Sequence, residues 1–307
     1  MSLVTSKEIL KSAYENHYAI GAFNANNMEI VQAIVNAATE ERAPVILQIS
    51  QGAIKYAGLH FAAGMVKIAA EEADIPVVLH LDHGTDFGQN IACLRAGFTS
   101  LMFDGSKRQY EENVEITRRV VEIAHVCGIP VEGELGRIVQ VSDGYTPEQV
   151  EEFMANPDQV ADFVKRTGVD ALAPAVGSVH AMRTQSATVD IERLKKINKN
   201  ANIPLVLHGS SGVTDESIVE SLNYGISKIN VDTHLRLAFV KTLRKSLADM
   251  PDEADPRKIL APSRDAVKEA VREKIRLFKS NNTVDSMGGL KSPSKSFSIK
   301  IDENAPE

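Results

Sequence analysis

Several short stretches of this chain bring imidazole, carboxylate and hydroxyl groups to places where a strand gives way to a turn. The densest is His80-Leu81-Asp82-His83-Gly84. In an extended backbone residues 80 and 82 share one face, and His83 leaves the strand at its end. Gly84 lets the chain turn sharply there. An acid and an imidazole side by side at a strand end suit a general acid/base, Asp82, next to a metal ligand, His83. His80, inside the run, reads as readily as a satisfied core histidine as a functional one. His180, after Val176-Gly177-Ser178-Val179, and His208 add two more imidazoles. Neutral imidazoles from separate strands, with a fourth position open, suit a catalytic zinc ion.

The segment His208-Gly209-Ser210-Ser211-Gly212-Val213-Thr214 has a second character. Gly209 and Gly212 permit close backbone approach, and Ser210 and Ser211 add hydroxyl donors. Taken alone, such a loop is an ordinary turn. Beside a histidine, and opposite Asn230-Val231-Asp232-Thr233, it reads as a phosphate cradle built from backbone amides.

These groups need a scaffold that collects strand ends. Short β-branched runs recur along the chain: Ala19–Asn24, Val45–Ser50, Val77–Asp82, Thr99–Asp104, Val131–Glu134, Ala171–Ala175, Leu205–His208 and Lys228–Val231. Pro44, Pro76, Pro130 and Pro204 mark the exit from a helix into the strand that follows, because proline lacks an amide donor and disfavours helix at the preceding residue. Helical periodicity covers 28–42, 111–127, 149–167, 190–200, 215–224 and 234–248. Continuously apolar strands alternating with helices predict buried parallel strands, and eight such units predict a (β/α)8 TIM barrel. An open doubly wound sheet is the rival. The first turn, Asn24-Ala25-Asn26-Asn27, lacks the Gly-x-Gly-x-x-Gly pattern of dinucleotide-binding versions of that sheet. In a barrel the catalytic groups stand at the C-terminal strand ends. Those ends are Asn24, Ser50, Asp82-His83, Asp104, Glu134, His180, His208 and Asn230-Val231-Asp232.

An extra C-terminal helix over 263–278 is expected outside the barrel. Residues 1–280 are therefore read as the barrel domain and 281–307 as a polar, flexible tail, with Phe297–Ile301 the one candidate strand within it. At 307 residues, 43% hydrophobic and 24% charged, the chain has the composition of a soluble globular protein. Its net charge of −7 offers no general attraction for nucleic acid or anionic lipid. No apolar run reaches membrane-spanning length and no secretory signal is visible. Two cysteines in helical patterns fit a reduced, cytoplasmic setting.

With these motifs in view, the chain resembles the class II, zinc-dependent ketose-bisphosphate aldolases, notably the fructose-bisphosphate aldolases. The resemblance runs from about Leu3 to Phe278. It rests on Gly21-Ala22-Phe23-Asn24, Ala43-Pro44-Val45-Ile46-Leu47-Gln48-Ile49-Ser50, His80-Leu81-Asp82-His83-Gly84, Glu132-Gly133-Glu134-Leu135-Gly136, His208-Gly209-Ser210-Ser211-Gly212 and Lys228-Ile229-Asn230-Val231-Asp232-Thr233, with Asp255-Pro256-Arg257 beyond them.

The resemblance implies cleavage of a ketose bisphosphate to dihydroxyacetone phosphate and an aldehyde, within glycolysis and carbohydrate metabolism. By analogy His83, His180 and His208 hold zinc. Asp82 exchanges a proton with the C4 hydroxyl. Asp104 and Glu134 match carboxylates near a second cation position, divalent or monovalent. Asn24, Ser50, Ala181, Gly209, Ser210, Ser211, Asn230, Asp232, Thr233 and Arg236 match substrate contacts. Asp232 fits fructose-type members, whose tagatose-type relatives usually carry alanine there. A homo-oligomer, dimer or tetramer, is expected.

Two segments depart from the family pattern. Where the family continues with consecutive acids in a Gly-rich loop, this chain has Arg137-Ile138-Val139-Gln140-Val141-Ser142-Asp143-Gly144, with Asp143 its one acid. Where the family has His-Gly-x-Tyr, this chain has His180-Ala181-Met182-Arg183. These departures keep two alternatives in view: an aldolase of the same mechanism for another ketose phosphate, and a non-catalytic binder of metal or phosphate.

Overall fold

A computed structural model describes residues 3–287. Its strands are β1 (Ile20–Asn24), β2 (Val45–Ser50), β3 (Val77–Asp82), β4 (Leu101–Phe103), β5 (Val131–Leu135), β6 (Ala171–Pro174), β7 (Leu205–Leu207) and β8 (Ile226–Val231). They pair in parallel in the order β3-β2-β1-β8-β7-β6-β5-β4. The two ends of that order meet. Bridges join His80 to Ser100 and Gly84 to Phe103, and Leu81 N donates to Ser100 O at 3.1 Å. The expected (β/α)8 barrel is the architecture, and the open sheet is not.

The helices are α1 (Ser6–Asn16), α2 (Met28–Glu40), α3 (Gln51–Ala57), α4 (Leu59–Glu72), α5 (Phe87–Arg95), α6 (Tyr110–Val126), α7 (Pro147–Phe153), α8 (Pro157–Thr167), α9 (Ile191–Ala201), α10 (Asp215–Ser221), α11 (Thr233–Asp249) and α12 (Pro256–Leu277). Two apolar clusters hold the barrel. The larger lies between strands and helices and joins residues such as Phe23, Ile34, Leu47, Val66, Phe163 and Val267. The smaller fills the barrel's lower interior, where Ile9, Leu10 and Ala13 of α1 meet Ile20, Ile46, Val78 and Val206. Each buried Val, Leu, Ile or Phe side chain among them contributes roughly 1.5–3 kcal/mol. Helix α1 therefore closes the N-terminal mouth, and the opposite mouth is left for the site.

Of the boundaries that differ from the sequence reading, three have a clear physical reason. The helix expected over 149–167 is two helices, because Pro157 cannot continue a preceding helix and instead begins α8. The Asn156 side chain caps α8 by accepting from Asp158 N at 3.0 Å. The last helix begins at Pro256 rather than at 263: Asp255 caps it and Pro262 lies inside it. It packs outside the barrel on α2 and α11. Strand β4 is shorter than 99–104, since residues 99 and 100 turn their amides onto Leu79 O at 2.9 and 3.1 Å. The first residues after the barrel lie against α2, with Asn282 N donating to Glu41 O at 2.8 Å. The expected strand at 297–301 falls outside the described residues.

Candidate active site

The C-terminal mouth of the barrel opens into a cavity of about 400 Å³. Asn24, Ser50, Asp82, His83, Asp104, His180, Ala181, Gly209, Ser210, Ser211, Asn230, Asp232, Thr233 and Arg236 line it, so these sequence-predicted residues meet in one place. His208 and Glu134 are fully buried beneath it and touch the same cluster.

Strand β3 delivers Asp82 and then turns. His83 takes a left-handed backbone, φ 51°, which swings its ring away from the strand direction. Gly84 follows because a Cβ there would stand 2.7 Å from the Met102 carbonyl oxygen, which the sheet cannot move. His83 Nδ1 lies 2.9 Å from Asp104 Oδ2 and 3.7 Å from Glu134 Oε2. Asp104 also accepts from Ser106 N and Oγ, at 3.0 and 2.6 Å.

The three imidazoles stand edge to face. Ring centroids are 5.1 Å apart for His83 and His180, 4.7 Å for His83 and His208, and 5.9 Å for His180 and His208. One nitrogen from each lies within 4.8 Å of the others, and a second such group joins His83, Asp104 and Glu134. Two buried atoms here, His180 Nε2 and Glu134 Oε2, have no hydrogen-bond partner among the described residues. Buried ligand atoms without a partner beside three clustered imidazoles fit a cation, and such a set at the edge of a cavity fits catalytic zinc.

The electrostatics agree. Burial pulls the His83 imidazole down, but Asp82, Asp104 and Glu134 outweigh it and carry its pKa up to about 10. Burial, reinforced by His83, presses His180 down to about 4 and His208 well below its ordinary value. Burial and Asp104 raise Glu134 to about 8. Asp82 stays below its ordinary value, because His83 and His208 overcome the cost of burying it. Its carboxylate is therefore charged at neutral pH. Asn24 Nδ2 donates to Asp82 Oδ2 at 2.9 Å and Asn230 Nδ2 approaches Oδ1 at 3.4 Å. Asn24 is itself held by Gln48 Nε2 at 2.7 Å.

On the phosphate side, Gly209 adopts φ 66°, and a Cβ there would strike the Val179 backbone at 2.9 Å. Ser210 Oγ donates to Asn230 O, tying the two loops together. Helix α11 starts at Thr233 with no side-chain cap, and Asp232, Thr233 and Arg236 line the cavity, so this helix start favours an anion there. Arg236 is exposed and pairs with Asp232 Oδ2 at 2.9 Å. Ala181 sits at φ 65°, a conformation suited to glycine.

The chain shares this constellation with known proteins. The fructose-bisphosphate aldolase class-II family model matches residues 4–283. The chain belongs to that family. It is 46% identical over 284 residues to a fructose-bisphosphate aldolase of Geobacillus stearothermophilus, covering 92% of this chain and 98% of that protein. It is 44% identical over 285 residues to a probable fructose-bisphosphate aldolase of Bacillus subtilis, covering 92% and 99%. The crystal structure of the YdjI aldolase from Escherichia coli K12 superposes with a TM-score of 0.80 at 33% identity, covering 92% of this chain and 99% of that one. This aldolase is thus a carbon–carbon lyase of a family that is zinc-dependent in general. No helix among the described residues is long and apolar enough to cross a membrane.

Some residues read differently in three dimensions. His80 does not line the cavity. Its Nδ1 meets Ser100 Oγ at 2.8 Å and its Nε2 meets Lys228 Nζ at 3.3 Å, which makes it a satisfied core histidine. Arg183 is exposed and outside the lining. Gln48, Gln140 and Asp143 line the cavity and went unnoticed as site residues, as did Glu132 and Lys228 below it. A polar side chain within an apolar strand was the one available signal for Gln48, Glu132 and Lys228.

Proposed function

We propose that this aldolase reversibly cleaves fructose 1,6-bisphosphate to dihydroxyacetone phosphate and glyceraldehyde 3-phosphate in cytoplasmic glycolysis. The observation that carries the reading is the placement of the charged Asp82 carboxylate beside three imidazole nitrogens within 4.8 Å of one another. His83, His180 and His208 would hold zinc, with Asp104 and Glu134 available to a second cation. When bound, zinc supplies a Lewis acid that favours negative charge developing beside the substrate carbonyl.

Asp82 acts as general base on the C4 hydroxyl. As its oxygen takes the proton, the C3–C4 bond breaks and C4 becomes the aldehyde carbon. The bonding electrons pass to C3 and C2 as an enediolate, which is completed by a proton at C3. Asp143, the one acid of the 137–144 loop, is assigned that delivery. Asn24 and Asn230 hold the Asp82 carboxylate still. The Gly209–Ser211 loop, Asn230–Thr233 and the open end of α11 receive the C1 phosphate, Arg236 receives the C6 phosphate, and Ser50 and Ala181 border the sugar. A dimer or tetramer belongs to this reading, supported by the exposed apolar side chains of Tyr56, Phe61 and Ile68.

A second reading has specific support. Gln140 and Asp143 stand in the cavity wall, in the 137–144 segment that departs from the family's consecutive acids, which favours a different ketose phosphate. A coupled assay on the metal-loaded protein separates the two. Triose phosphate from fructose 1,6-bisphosphate, at least tenfold faster than from tagatose 1,6-bisphosphate, supports the first. Cleavage of other ketose phosphates alone supports the second, and inactivity on every sugar leaves neither standing.

A further inference from the structure

The interior of the barrel below the cavity holds a Lys–Glu pair that the reaction does not use. Glu132 of β5 and Lys228 of β8 are 2% and 1% exposed, on strands whose every residue is buried. Sealing two charges inside a barrel carries a heavy desolvation cost unless each is fully matched. Here each is matched, and in one direction. Lys228 Nζ donates to Glu132 Oε2 at 2.8 Å, and Glu132 Oε1 lies 2.7 Å from His208 Nε2. Lys228 also reaches His80 Nε2 at 3.3 Å, and His80 Nδ1 reaches Ser100 Oγ at 2.8 Å.

The chemistry of the contact settles which nitrogen of His208 carries hydrogen. A carboxylate is an acceptor only, so a neutral His208 bonded to it must bear its proton on Nε2. Nδ1 then holds the lone pair, and Nδ1 is the atom that faces His83 Nε2 at 3.0 Å, toward the other imidazoles, with Asn230 Nδ2 at 3.2 Å as a donor to it.

We propose that Glu132, anchored by Lys228, is a positioning residue that fixes the tautomer and angle of His208 so that Nδ1 serves as the metal ligand. Lys228 acts one step further out. It donates to the second oxygen of Glu132, which holds the carboxylate in the plane that meets His208. A carboxylate behind a ligating histidine also raises the basicity of the ring, which strengthens its hold on a cation. The assignment rests on the reading that His83, His180 and His208 share one metal ion.

Cobalt(II) is the probe, because its visible absorption reports coordination geometry apart from turnover. In Glu132→Ala, cobalt affinity measured by chelator competition should fall about 10- to 100-fold, with altered absorption bands and an unchanged far-ultraviolet spectrum. Glu132→Gln combined with Lys228→Met keeps an acceptor for His208 and removes the unmatched ammonium, and should recover most of that loss. The ¹⁵N shifts of His208 in the metal-free wild-type protein should show hydrogen on Nε2. Hydrogen on Nδ1 overturns the proposal even if Glu132→Ala does not fold. So does a folded Glu132→Ala with wild-type cobalt affinity and spectrum while His208→Ala loses the metal. If His208→Ala itself binds cobalt as tightly as wild type, the three-imidazole reading fails and takes this assignment with it.

Discussion

His208 Nδ1 stands 3.0 Å from His83 Nε2, although the two residues are 125 positions apart, one just after β7 and the other just after β3. Without a cation, two ring nitrogens at that distance share one hydrogen. With a cation, both become ligands, provided His83 gives up its proton. Removing one imidazole from the set should therefore cut metal affinity sharply. His208→Ala is expected to lose at least on the order of 100-fold in zinc affinity, measured by chelator competition, since binding free energy at such sites is spread over few ligands.

Asp82→Asn tests the assigned base. The amide matches the carboxylate in size but cannot take a proton. Turnover should fall about 10²- to 10⁴-fold, while zinc affinity stays within a few-fold of wild type. Equal losses in both would make Asp82 a structural support of the metal instead.

Ala181→Gly tests backbone strain beside a ligand. A Cβ in the left-handed region costs about 1–2 kcal/mol, and the added freedom of glycine in the unfolded chain returns roughly 0.5–1 kcal/mol of that. With φ at 65°, the variant should be more stable by about 0.5–1 kcal/mol in urea unfolding. A loss of stability would mean that the methyl group makes contacts worth more than the strain.

Glu41 predicts a pH dependence remote from the site. It closes α2, is buried, and accepts from Arg276 at 2.7 and 3.0 Å and from Arg272 at 3.0 Å. Arg276, opposed by burial and joined by Arg272, holds the carboxyl below its ordinary 4.5. A lowered acid stabilises the fold above its unfolded pKa, and that contribution disappears as pH falls through the folded value. Glu41→Gln should lower Tm by on the order of 2–4 °C at pH 7, with the gap to wild type closing below pH 4. A gap that is constant with pH would contradict the charge-based account.

The rim of the barrel was legible because its strands are punctuated. Pro44, Pro76, Pro130 and Pro204 each stand where a helix has ended, and the polar residues closing those strands line the C-terminal cavity, as Ser50 and Asp82 do, or lie buried beneath it, as Glu134 and His208 do. Glu132 and Lys228 were not legible. Each is a charge on a buried strand, and what makes it meaningful is a partner almost a hundred residues away across the barrel. The break at Asn156-Pro157 carried a local signal, the proline itself, that apolar residues at helical spacing on either side (Val150 and Phe153, then Val160 and Phe163) concealed, although α8 alone of the two helices buries such residues fully. The left-handed turn at Ala181 had no signal in its own side chain, only in the family's habit of placing glycine there.

The central claim is that one zinc ion held by three imidazoles is required for C–C cleavage. Its most direct test is to strip the protein with a chelator, return zinc in known equivalents, and follow dihydroxyacetone phosphate released from fructose 1,6-bisphosphate. The account predicts no release from the stripped protein, a linear rise, and a break at one zinc per chain. Release from metal-free protein, or none at full zinc occupancy, would contradict it.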